Sequence, residues 1–121
     1  MSVSFTQCGN SVDKELKRQA EQMNNMCPME LGGGVRLDEV TAESGKKLNY
    51  VFTFTQMIAG SEEAQMTASI FKPMMVETFR TNNSQEYVNI RKIKPTLIFK
   101  INDKNGELIT DVEIKPEDYA E

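Results

Sequence analysis

From Leu48 to Thr55 the chain alternates, with Leu48, Tyr50, Phe52 and Phe54 on one parity and Asn49, Val51, Thr53 and Thr55 on the other. A period of two, rich in aromatic and β-branched residues, is the pattern of a strand that buries one face. Such a strand needs sheet neighbours on its edges and a second layer over its apolar side. The rest of the sequence must supply both.

Neighbours are readable on either side. Val35–Glu43 is a second extended segment, joined to the first (Lys46–Gln56) near Ser44-Gly45. Further on, Ile93–Asn102 and Glu107–Lys115 flank Asp103-Lys104-Asn105-Gly106, a strong turn signal. Leu97, Phe99 and Ile101 share one face of the first strand of that hairpin, and Leu108, Val112 and Ile114 share one face of the second. A two-residue loop aligns these faces, whereas a glycine bulge at Gly106 shifts one strand by a residue.

The covering layer comes from helices. Val12, Leu16, Ala20, Met23 and Cys27 recur at spacings of four, four, three and four, one apolar stripe of a helix over Ser11–Met26 that Pro28 stops. Ser11 or Asp13 is its expected cap. Ser61, followed by Glu62 and Glu63, caps a second helical region whose stripe is Ala64, Ala68, Phe71, Met75 and Phe79. Pro73 either kinks that region or opens a new helix, and the segment from Gln85 to Lys92 fits no single template. The expected fold is α+β, with helices on one face of a four-stranded antiparallel sheet in the order α-β-β-α-β-β. Residues 11–115 form the domain, 1–10 a flexible tether, and 116–121 a loose acidic tail.

Chemistry is constrained by what is missing. Of 121 residues none is histidine, which removes the usual general base, the Ser-His and Cys-His pairs and the commonest zinc ligand. A net charge of −4 disfavours nucleic acid and gives no field towards anionic lipid. An enzyme is not expected, and neither a metal nor a cofactor. Gly32-Gly33-Gly34 follows a helix and precedes a strand, the reverse of a phosphate loop, so a turn is expected there. Cys27 lies on the apolar stripe at a helix C-terminus, where the dipole disfavours a thiolate, and reads as a packed thiol. Asp38, Glu39, Glu43, Glu62 and Glu63 match no calcium spacing and read as a solvated face. Met23, Met26, Met29, Met66, Met74 and Met75 read as core at helical spacing, although methionine also makes adaptable binding surfaces. Arg91, Lys92 and Lys94 form a basic cluster suited to an acidic partner or lipid headgroups, unless Glu107, Asp111 and Glu113 neutralise it within the fold.

Val3-Ser4-Phe5-Thr6-Gln7-Cys8-Gly9-Asn10-Ser11 leads from small and apolar residues through one cysteine to a polar spacer and then a charged helix. The order resembles the end of a bacterial lipoprotein signal with Cys8 as the lipid-attachment residue, except that Gln7 stands where a small residue is usual. Cys8 and Cys27 are separated by a helix of about 20 Å and so are expected to remain unpaired. Further along, Met26-Cys27-Pro28-Met29-Glu30-Leu31, Arg36-Leu37-Asp38-Glu39-Val40, Leu48-Asn49-Tyr50-Val51-Phe52, Phe71-Lys72-Pro73-Met74-Met75 and Thr96-Leu97-Ile98-Phe99 before Asp103-Lys104-Asn105-Gly106 stand in an order spanning residues 12–115. Together they resemble a family of small Bacteroidetes-type cell-envelope lipoproteins to which no activity is assigned. The glycine run departs from the polar connection expected in that family. The resemblance implies the element order and an envelope location, and carries over no catalytic residue.

The expected function is therefore a non-enzymatic envelope lipoprotein domain, anchored only through lipid, that binds a protein partner or a small apolar ligand. Its binding surface is expected on the sheet around Tyr50 and Phe52, wherever helices leave it uncovered, with Arg91, Lys92 and Lys94 as accessory contacts. The alternative is an inhibitor or immunity protein that blocks a partner enzyme.

Overall fold

The computed structural model describes residues 3–120, with side chains from Ser11 onward. Helix α1 (Val3–Asn24) precedes a meander of β1 (Met29–Gly32), β2 (Val35–Glu43) and β3 (Lys47–Phe54). Helices α2 (Glu62–Thr81) and α3 (Gln85–Ile93) then cross back to β4 (Thr96–Asn102), β5 (Leu108–Ile114) and the short α4 (Pro116–Tyr119). The fold is α+β, and the five strands are ordered β1-β2-β3-β4-β5.

Two corrections to the expected sheet have physical causes. First, β3 and β4 run parallel, so the sheet is mixed rather than antiparallel. Parallel neighbours require a long crossover; α2 and α3 provide it, returning the chain to the end where β3 began. There the Thr96 N–H donates to Lys46 O at 2.8 Å. Second, a fifth strand, β1, lies beyond β2. Met29–Gly32 folds back on Val35–Leu37 through the glycine turn, which needs positive φ at Gly32, Gly33 and Gly34.

One sheet face is the core. Leu48, Tyr50 and Phe52 of β3 lie beside Leu97, Phe99 and Ile101 of β4, all buried. Leu37 and Val40 are both buried although three residues apart, because the β2–β3 register slips at Asp38 and one bulged residue switches the parity. A second slip lies in the last hairpin, where Ile101 faces Thr110 and Asn102 faces Leu108. It turns Leu108 out to 48% exposure, away from the face shared by Val112 and Ile114.

The helices cover this face. Leu16 and Ala20 of α1, Phe71 and Phe79 of α2, and Ile90 of α3 are buried against it. The backbone of α1 is already helical from Val3, earlier than Ser11, so Asp13 is interior rather than a cap. Its carboxylate instead accepts the N–H groups of Gly45 (3.4 Å) and Lys46 (3.2 Å) in the β2–β3 turn. Ser61 caps α2 as expected, its hydroxyl accepting Ala64 N–H at 3.1 Å. α2 passes through Pro73 without ending, and the segment from Gln85 is a separate helix. Residues 116–120, expected in a loose tail, are packed instead: Tyr119 is 2% exposed, stacks edge-on to Phe79 with centroids 6.1 Å apart, and donates its hydroxyl to Pro95 O.

The Asp103 turn ties the crossover to the sheet. Its carboxylate, fully buried, accepts Ala59 N–H (2.8 Å), Asn105 N–H (2.7 Å) and Glu107 N–H (2.9 Å). The Ala59 bond, with help from those of Glu107 and Asn105, holds its pKa below the ordinary carboxylate range against the cost of burial. An unfolded aspartate titrates at about 3.9. A depressed folded value makes the carboxylate's contribution complete above that pH, and the contribution is lost as pH falls through the folded value. Asp103→Asn should therefore lower the melting temperature most near neutral pH, with the gap from wild type closing in acid. A gap independent of pH in thermal melts would exclude this role.

Candidate functional site

The helices do not cover the sheet completely. Between α1 and α2, on the side of the sheet that carries β1, lies a cleft of about 350 Å³. Tyr50, Phe52, Phe54 and Phe99 form its floor. Met23 and Met26 from the C-terminal end of α1 and its following turn, Met29 and Leu31 from β1, and Val35 and Leu37 from β2 make one wall. Phe71, Met74, Met75 and Phe79 of α2 make the other, and Glu86 and Tyr87 of α3 close one end. Among the described residues Glu86 is the one charged side chain on the lining. A more polar crevice of about 370 Å³ between α1 and α3, reaching Arg18, Gln22 and Asn89, shares Met23, Met26 and Glu86 with the cleft and extends it.

The rim is apolar and solvent-facing. Met26 is 59% exposed, Leu31 50% and Met74 51%. Ile70 and Met66, one and two helical turns before Met74 on α2, are 56% and 69% exposed and continue its row at i, i+4 spacing. The methionines expected in the core thus divide. Met23, Met29 and Met75 pack half-buried against it, while Met26, Met66 and Met74 stay out.

Among the described residues, the ionisable groups lining the cleft are Glu86, Tyr50 and Tyr87. Burial, with the Glu86 charge next, raises the Tyr50 and Tyr87 phenols above their ordinary value, so both stay neutral. The Cys27 thiol, which donates to Met23 O at 3.4 Å, is likewise raised, first by burial and then by Asp38 and Glu39. No group of histidine, cysteine, aspartate or glutamate among the described residues is arranged to hold a metal. The acidic residues singled out by sequence do not converge. Asp38 accepts from Arg36 Nε at 2.6 Å and from the Thr53 hydroxyl, Glu62 and Glu63 sit in the first turn of α2, and Glu43 lies opposite Lys47.

The structure separates the sequence-derived candidates. Tyr50 and Phe52 lie together in the floor, only 5% and 7% exposed; the accessible surface belongs to the methionines and Leu31 around them. Arg91, Lys92 and Lys94 are absent from the cleft lining. The Arg91 guanidinium spans the α2–α3 turn, donating to Phe79 O and Asn82 O, both at 2.7 Å, and to Asn83 Oδ1 at 3.2 Å. Lys92 is exposed, and Lys94 is the left-handed C-cap of α3. The Cys8 side chain lies outside the described residues. Sequence reasoning missed the β1 wall, although two apolar runs separated by consecutive glycines are a hairpin signal.

No family model and no curated protein matches the sequence. Solved structures do match the fold. A protein of Pseudomonas aeruginosa described as secreted has a TM-score of 0.69 at 11% identity, over 91% of this chain and 94% of that one. The type II secretion system pilotin AspS of Vibrio cholerae gives 0.66 at 14% identity, over 95% and 98%. The type 2 secretion system pilotin EpsS of Vibrio vulnificus gives 0.70 at 13%, over 93% and 96%. At these identities the likeness is one of fold.

Arg91→Ala should cost about 1.5–3 kcal/mol, the range for hydrogen bonds to charged groups, because three acceptors at and just beyond the end of α2 lose their partner. Lys92→Ala and Lys94→Ala should each stay within about 0.5 kcal/mol. Urea denaturation of the three variants distinguishes a structural Arg91 from a surface one.

Proposed function

We propose that this chain is a non-enzymatic domain of the cell envelope, lipid-anchored through Cys8, that receives an apolar segment of a protein partner between α1 and α2 in a pilotin-type role. The observation that carries the reading is the apolar rim. A small ligand would use the cleft alone, whereas Met26, Leu31, Met74, Ile70 and Met66 extend the apolar surface beyond it as a longer polypeptide would require. Methionine walls suit this task, since unbranched thioether chains repack around an incoming side chain. The pilotin fold of two structural neighbours supports the same reading. The inhibitor alternative lacks such support: blocking a basic enzyme calls for an acidic surface, and the concave surface here is apolar apart from Glu86.

The cleft is tested by comparing the proteins that tagged wild type and variants retain from envelope extracts of the cells that make this chain. Losing one buried methionine or leucine contact, worth roughly 1.5–3 kcal/mol, should weaken partner retention about tenfold or more in Met74→Asp and Leu31→Asp. Lys100→Asp, on the opposite sheet face, should retain the partner at the wild-type level. Equal retention by all four proteins would remove the cleft from the function.

The anchor is tested separately by intact-mass analysis of the gene product recovered from membranes. A chain beginning at acylated Cys8 is the expected outcome. An unmodified chain still carrying the residues before Cys8 would overturn the anchor and leave the cleft reading intact.

A further inference from the structure

The end of the sheet opposite the cleft carries a second kind of surface. The β2–β3 turn, the start of β3 and the α3–β4 connection meet there, because the parallel register puts Lys47 beside Thr96. That juxtaposition gathers Lys46, Lys47, Lys92 and Lys94, all exposed. Lys46 and Lys92 flank one shallow crevice together with Ser11 and Val12 of α1. The lysines are distant in sequence, so the fold makes this cluster.

The charge is available. Every ion pair among the described residues uses an arginine, and none uses these four lysines. The nearby acids are largely engaged: Asp13 accepts the Gly45 and Lys46 N–H groups, and Glu15 is held by Arg18 and by Gln19 at 3.0 Å. Asp13 keeps its negative charge because backbone N–H donors are neutral, and Glu43, opposite Lys47, makes no ion pair among the described residues, so these two carboxylates stand against the four lysines. The result is a cationic face on a chain of net charge −4, and Arg91 of the original basic cluster is not part of it because it is spent on the α2–α3 turn.

We infer that this lysine face lies against anionic lipid headgroups and holds the cleft away from the membrane. The choice of lipid over another polyanion rests on the proposed anchor. The backbone of α1 continues helically past Asp13 towards Cys8, five residues or about 8 Å further along its axis. A lipid on Cys8 would therefore hold the lysines within roughly one physiological screening length, about 8 Å, of the headgroups. Each lysine near an anionic leaflet strengthens attachment by about fivefold, too little to anchor a protein but enough to orient one already tethered.

The test uses the full chain, unacylated, sedimented with vesicles of phosphatidylcholine alone or mixed with phosphatidylglycerol. Partition onto the phosphatidylglycerol vesicles at low ionic strength should exceed that onto neutral ones by about tenfold or more and should fall with added salt. The quadruple variant Lys46→Glu, Lys47→Glu, Lys92→Glu, Lys94→Glu should lose this preference, with circular dichroism and thermal melts reporting that it folds. Lys100→Glu with Lys104→Glu, on β4 and in the turn that follows it, should keep it. Equal partition onto the two vesicle types would overturn the inference, as would a preference that survives the quadruple change. An acylated Cys8 in a chain without anionic preference would keep the tether and remove the lysine face. An unmodified Cys8 in a chain that still prefers phosphatidylglycerol would do the reverse.

Discussion

The aromatic packing around Phe99 is the contact on which the rest of the structure depends. Phe99 is fully buried, with ring centroids 5.0 Å from Tyr50, 5.6 Å from Phe71, 5.9 Å from Phe79 and 6.1 Å from Phe52. Each such pair is worth about 0.5–1.5 kcal/mol beyond its buried area. The cluster joins β3, β4 and α2, so it fixes the parallel pairing and the seat of the crossover helix at once. The same Tyr50 and Phe52 that hold the core together also floor the cleft.

How much of this was legible depended on whether the determining interaction was local. The alternation from Leu48 to Phe54, the Asp103-Lys104-Asn105-Gly106 turn and the Ser61 cap are set by residues within a few positions of one another, and all three stand where the sequence placed them. The parallel β3–β4 pair was not legible, because strand direction is decided by where a crossover of two helices delivers the chain. The Asp38 bulge left a trace in the shift of apolar parity from Leu37 to Val40, but that trace becomes readable only once β3 supplies the fixed register. Tyr119 looked like part of a polar tail because its partners, Phe79 and Pro95, lie 40 and 24 residues away.

The candidate site divides along the same line. Tyr50 and Phe52 were identifiable because an aromatic strand face has to be covered by something, and the question was only how completely. The rim was not identifiable, because Met23 and Met75 on packed faces have the same side chain as Met26 and Met74 on open ones; exposure is set by tertiary packing. The basic cluster failed as a unit for a similar reason. Arg91, Lys92 and Lys94 are neighbours in sequence, yet a helix points them in different directions, and the guanidinium fork reaches three oxygens in fixed geometry where an ammonium acts as a point charge.

α1 is the element that relates the two surfaces. Its buried residues Leu16 and Ala20 fasten its middle to the sheet, Asp13 ties its earlier part to the β2–β3 turn, and Asn24 Oδ1 at its far end accepts Val40 N–H at 2.9 Å beside the β2 bulge. These three attachments seat the helix on the sheet at its earlier part, its middle and its far end. About 13 residues separate Asp13 at the lysine end from Met26 on the cleft rim, a span of roughly 20 Å at helical rise. A partner segment seated against Met26 and Met74 would therefore sit at a set height above any surface that the lysines contact. That spacing follows from the length of one helix packed on a rigid sheet, and it requires no hinge or moving part.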